Sequence, residues 1–170
     1  MAKKKKNKSF ILSAVAALLG VISILMIFLP AISIKDSETT YSGLQIVFGF
    51  TENGLLGKIV HFEFSFMNLL TYILIAVGVV FTVLGAMGKG SKFALFIALA
   101  CFAVGAIFFF MQVAFCVPNK DLESVVSGLG GLFNKDASIK DSLSLAVGSI
   151  ISAICAILSA IVLAYKIFVK

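Results

Sequence analysis

Four long apolar stretches dominate the chain, at about residues 10–30, 68–87, 93–117 and 145–165. None of them contains Asp, Glu, Lys, Arg or His. At a rise of about 1.5 Å per residue, each reaches the roughly 30 Å of a bilayer's hydrocarbon core. One such stretch would also suit the buried helix of a soluble protein. Four of them in 170 residues leave no amphipathic shell to cover them. Lipid offers no water to backbone N–H and C=O groups, so each stretch satisfies its own as a helix. The expected fold class is all-α and transmembrane: a left-handed four-helix bundle with a small extracytoplasmic cap of β-hairpin and short helix. Charged residues make up 13% of the chain, where a soluble domain carries about a quarter. A soluble enzyme, a disordered tail and a nucleic-acid-binding domain are set aside on that ground.

Charge placement sets the expected orientation. All 14 basic residues are Lys. Lys3, Lys4, Lys5, Lys6 and Lys8 precede the first span, Lys89 and Lys92 join the second to the third, and Lys166 and Lys170 follow the fourth. No acid accompanies them. The other side carries Lys35, Lys58, Lys120, Lys135 and Lys140 with all eight acids. Lysine-rich segments stay cytoplasmic. Both termini are expected in the cytoplasm, with loops 31–67 and 118–144 outside. Residues 1–9 form a lysine-rich N-terminus and 10–170 a single four-span domain. Lys3 to Lys8 imitate the start of a secretory signal, and Ala31 and Ser33 its cleavage site. The apolar run of about twenty residues exceeds the usual seven to fifteen, so an uncleaved first span is expected. The lysine run is read as a topology signal with incidental contact to anionic lipid.

The first outer loop reads as more than a linker. Leu44, Ile46, Phe48 and Phe50 alternate with Gln45, Val47 and Gly49, and Val60, Phe62, Phe64 and Phe66 alternate with His61, Glu63 and Ser65. Period two argues for half-buried strands. Glu52, Asn53, Gly54 and Gly57 supply turn chemistry between them. The expectation is a hairpin of about 43–50 with about 58–65, with Ile32 and Ile34 as a candidate third strand. Its aromatic face either packs on the helix ends or the second loop, or stays exposed as a docking face. In the second loop, Leu122, Val125, Val126, Leu129, Leu132 and Phe133 recur at helical spacing, behind Asp121 and Glu123. Gly128, Gly130 and Gly131 weaken that helix. Asp141 is a candidate cap for the fourth span.

Chemistry is sparse. His61 stands alone beside Glu63 and reads as part of a polar strand face. A metal site needs more ligands than this. Cys101, Cys116 and Cys155 fall within spans at different depths and read as small buried apolar residues. Gly88-Lys89-Gly90-Ser91 lacks the spacing of a phosphate-binding loop. The expectations are no enzyme activity, no metal and no cofactor. Ionisable groups such as carboxylates and amines mark proton and ion pathways inside membranes, and the polar residues of the spans are chiefly Ser13, Ser23, Thr71, Thr82, Gln112, Ser149, Ser152 and Ser159, with Asn68 at an end. Asn68 and Gln112 are expected to bond across the bundle. Ser149, Ser152, Ala153, Ala156, Ser159 and Ala160 form a small-residue stripe, which lets a neighbouring backbone come close. It serves either the bundle itself or another subunit. Gly78 and Gly85 share a face of the second span.

Four spans, cytoplasmic termini, a strand-forming first outer loop and a shorter second one resemble the claudin-like tetraspan plan. That family's first-loop motif sets Trp ahead of Gly-Leu-Trp and two Cys. This chain has Gly43-Leu44-Gln45, no Trp and no cysteine in that loop. The resemblance therefore implies the four-span plan and no junctional role. The tryptophan-free, lysine-only composition is also similar to small four-span proteins of AT-rich bacteria, which implies a bacterial plasma membrane. The functional expectation is a non-enzymatic scaffold or accessory subunit. Its partners would be lipid and a membrane protein or a second copy of the chain, without nucleic acid. Contact falls to Leu44, Ile46, Phe48, Phe62 and Phe64 and to the stripe. A small oligomeric channel or transporter is the alternative. The charge bias predicts that a reporter active only in the cytoplasm works when fused to the C-terminus and fails when inserted near residue 55. The reverse pattern would refute this orientation.

Overall fold

The computed structural model describes residues 2–35, 38–54, 57–87, 92–119 and 139–168. Four helices are long and apolar enough to cross a membrane: α1 (Ala2–Leu25), α3 (Phe66–Ala86), α4 (Lys92–Phe110) and α6 (Val147–Phe168). The short elements between them are β1 (Pro30–Ile34), β2 (Thr40–Ser42), α2 (Gly43–Phe48), β3 (Phe50–Gly54) and β4 (Gly57–Phe62). α5 (Gln112–Phe115) and β5 (Leu143–Leu145) follow, with 3₁₀ turns at Met26–Phe28 and Ile139–Ser142. The helical spacing read over 122–133 and the connection 88–91 lie outside the described residues.

The chain divides into two compact units, Met1–Met26 with Leu70–Phe109 and Ile151–Lys170, and Ile27–Leu69 with Phe110–Ile150. The first is a four-helix unit that is apolar at its surface as well as inside, where Ile75, Phe102 and Leu163 are fully buried. Leu18, Val80, Phe93, Ile107 and Ile161 are exposed, while Ser13, Ser23, Thr71, Thr82, Ser152 and Ser159 are buried. Such a surface suits hydrocarbon. Helices in lipid gain little from burying apolar area and associate through close packing and hydrogen bonds. Ser23 Oγ donates to the Ser152 carbonyl and Ser152 Oγ to the Ser23 carbonyl, each at 3.0 Å. Ser159 Oγ lies 3.1 Å from the Ala16 carbonyl and 2.9 Å from that of Cys155. Lys166 Nζ donates to Ser13 Oγ. The order 23–152, 16–159, 13–166 makes α1 and α6 antiparallel. Gly20 lies where a Cβ would come within 2.5 Å of Val79 and 2.8 Å of Phe102. No larger residue fits there without displacing them.

The second unit is a small mixed fold. β1 is the centre of a three-stranded antiparallel sheet in the order β2-β1-β5. Ile32 pairs with Tyr41 on one side and Leu145 on the other, and Ser33 bonds Ser144 side chain to side chain at 2.8 Å. β3 and β4 form a separate antiparallel hairpin, from Phe50↔Phe62 to Gly54↔Gly57. Ala31, Ile32, Tyr41, Ile46, Phe62, Cys116 and Leu143 close into one core. The Tyr41 ring meets Phe62 edge-on at 4.8 Å and Phe50 at 6.1 Å.

Here the structure corrects several expectations. The hairpin exists, but its first strand is 50–54 rather than 43–50. Residues 43–48 are the helix α2. Ser42 Oγ accepts from the Gln45 N–H, and Gln45 Oε1 accepts from the Ser42 N–H at 2.8 Å. This reciprocal capping box satisfies two amides and starts a helix. Gly49, at φ 87°, ends it. Ile46 and Val47 are both buried, which two neighbours on a one-sided strand cannot be. Ile32 and Ile34 do form a strand, but in the other sheet. The fourth helix starts at Val147 because 143–145 pair with β1. Its N-cap position falls on Ala146 rather than Asp141. The first helix gives way to a short 3₁₀ turn, Met26–Phe28, before β1.

Gly148, in the first turn of α6, lies where a Cβ would come within 2.6 Å of the Pro30 carbonyl. That neighbour is backbone and has little room to move. Gly148→Ala should therefore cost about 1–3 kcal/mol, the usual cost of overpacking. Val147→Ala, at a side chain 63% exposed, should stay within about 0.5 kcal/mol. Unfolding of the two variants in one mild detergent checks the contrast.

Candidate interaction site

Within the second unit, the entry to α3 is built around Ser65. Its Oγ accepts from the Asn68 N–H at 3.4 Å, as an N-cap does, and donates to the Phe115 carbonyl at 2.7 Å. Its own N–H donates to the Val47 carbonyl at 3.0 Å. One buried serine thus ties α2, α3 and α5 together. Glu63 N–H donates to the Val117 carbonyl at 2.9 Å, and Phe62 bridges to Pro118.

Buried polar side chains continue inward from Ser65. Asn68 Nδ2 lies 3.6 Å from Cys116 Sγ, while among the described residues Asn68 Oδ1 is buried without a hydrogen-bond partner. Ser149 Oγ lies 2.8 Å from the Ala31 carbonyl and also contacts Gln112 Oε1. Asn68 and Gln112 therefore bond to other elements, within the second unit rather than across the four-helix unit. Cys116 lies just past α5, outside the membrane-length helix that the sequence assigned it to. Burial pushes its thiol up to about 12, against weaker opposing pulls from the Asn68 side chain and the Lys140 charge. Lys140 Nζ itself donates to the Ala114 carbonyl at 2.8 Å. A thiol so placed is a packing group rather than a nucleophile.

The candidate contact residues separate into three groups. Ile46 and Phe62 belong to the core of the second unit, and Leu44 is half-buried. Phe48 and Phe64 are 60% and 52% exposed. Ser149 is buried in the second unit, and Ser152, Ala153 and Ala156 are buried in the first, where Ser152 bonds to α1. That part of the stripe lies inside the four-helix unit. Sequence reading missed Ser65, although Ser65-Phe66-Met67-Asn68 ahead of an apolar run is a recognisable helix start. It also missed Phe66 and Met67 as surface residues; both are exposed.

Among the described residues no group of three or more His, Cys, Asp or Glu could hold a metal ion. Glu63 Oε1 accepts from Asn119 Nδ2 at 3.1 Å. Compared with protein-family models, with curated proteins and with solved structures, the chain has no match.

A group whose folded pKa is raised adds stability below its ordinary value and loses it as the pH climbs to the raised one. For Cys116 that window runs from about 9 to about 12. Stability in detergent should fall across this window, and Cys116→Ala should flatten the fall. Maleimide should label Cys116 only slowly in the folded protein at pH 8 and quickly once it is unfolded.

Proposed function

We propose that this four-span membrane protein is a non-enzymatic scaffold or accessory subunit of a bacterial plasma membrane, with cytoplasmic termini and loops 31–67 and 118–144 outside. One observation carries the reading. The long connections do not merely join helices; they contribute strands and a helix to a unit with its own buried core of Ile32, Tyr41, Ile46, Phe62 and Leu143. A connection with a folded core of its own suits recognition better than linkage. Four hydroxyls of the four-helix unit point the same way. Ser23, Thr82, Ser152 and Ser159 donate to backbone carbonyls of this chain, so they serve packing rather than a water-filled path.

The hairpin offers the contact. Among the described residues β3 pairs with β4 and with no other strand. An open edge of that kind accepts an added strand from a partner. In-cell crosslinking at native expression, purification in mild detergent and an intact-complex mass test this. The expected outcome is a stoichiometric membrane-protein partner with crosslinks between residues 43 and 64. A homo-oligomer without a partner would replace this reading with the small channel, and flux in liposomes would be measured next. A lone monomer would defeat both.

A further inference from the structure

Phe48 and Phe64 are bulky, apolar and turned outward, in a unit that has a core available. Their position in the fold explains why. Val47, the residue before Phe48, gives its carbonyl to the N–H of Ser65, which caps α3. Phe64 is the residue before that cap, and Phe66 the first residue of the helix. At Gly49 a Cβ would lie 2.9 Å from the Phe62 carbonyl and 3.6 Å from the Phe64 amide. The end of α2 is thus fastened directly against the start of a membrane span. Phe66, 58% exposed, and Met67 continue the surface along the helix. Glu63, the one charge between Phe62 and Met67, is engaged by Asn119.

The remaining span ends in this unit look the same. Phe28 and Leu29 follow α1, Phe110 and Met111 stand at the end of α4, and Val147 opens α6; all are exposed. Helix ends of this kind mark where the bilayer's hydrocarbon gives way to headgroups. We propose that Phe48 and Phe64 insert into the bilayer at that boundary, so that α2 and the 62–65 segment form a lipid-contacting collar around the start of α3. The occupant is the acyl-chain and glycerol region of a phospholipid. Two large aromatic rings shielded from water there add an anchor without a further span. The inference stands apart from the accessory reading, because lipid contact at this collar does not depend on a protein partner.

The chain contains no Trp, so each single-Trp variant reports from one place. F48W, F64W and the benchmark F66W are reconstituted separately into vesicles of phosphatidylcholine and phosphatidylglycerol, with bromine carried at graded depths on the acyl chains. F48W and F64W should be quenched most by the shallowest bromine and to an extent comparable with F66W. If lipid bromine leaves both unquenched while F66W responds, the proposal is overturned; aqueous iodide then tells whether water or protein covers them. The unmodified chain provides a second readout that needs no variant. A photoactivatable phosphatidylcholine with its reactive group near the glycerol should label the 43–65 segment. Adducts confined to the long helices would also overturn the proposal.

Discussion

Between two helices in hydrocarbon, apolar burial supplies little drive, since lipid tails are as apolar as Leu. The four-helix unit depends instead on what the helices can do at close range. α1 and α6 exchange hydroxyl-to-carbonyl bonds through Ser23 and Ser152 and meet again at Ser159 and Ala16. Ala16, Ala153 and Ala156 on the same two helices are fully buried, and small residues let backbones come close. Each serine here is both a small residue and a donor, and the two properties act together. Gly20 extends the same logic to Val79 and Phe102.

The second unit follows the physics of water-soluble folds. Its core is apolar, its helix α2 carries a capping box, and its aromatic contacts are edge-on. β1 lies between a local partner, β2, and a remote one, β5. The first long connection is thereby tied to the residues that lead into α6, and the Ala146 N–H donates to the Ala31 carbonyl at 2.9 Å. Ser149 repeats that link from the first turn of α6, again to Ala31. Connections built into each other in this way hold a defined surface.

How far the site could be read in advance differs from residue to residue. Phe62 was recognised as an apolar position, and it is one, but its place in the core depends on Tyr41 and Cys116 arriving from elsewhere in the chain. Phe64 has the same character and stays outside. Alternation cannot separate the two, because the chain leaves the strand after Phe62 and the period-two relation lapses. Residues 43–48 mislead for a related reason. Six residues are too few to separate a period of 2 from one of 3.6, and the deciding signal was local chemistry, Ser42 with Gln45. Asn68 and Gln112 were legible as bonding groups, whereas their partners Cys116 and Ser149 came only from the fold.

The sequence alone determined the four membrane-length helices, because a long run without a charge has one way to satisfy its backbone in lipid. It also determined that the first connection carries structure and that the last helix has a close-packing stripe. Tertiary structure decided which alternating segment became helix and which became strand, since capping and pairing outweigh a short pattern. It decided that β1 pairs with β2 and β5 rather than with the hairpin. It decided which aromatic rings are core and which are surface. Those outcomes rest on contacts between residues distant in sequence, and a pattern read along the chain holds no record of which distant residue will complete it.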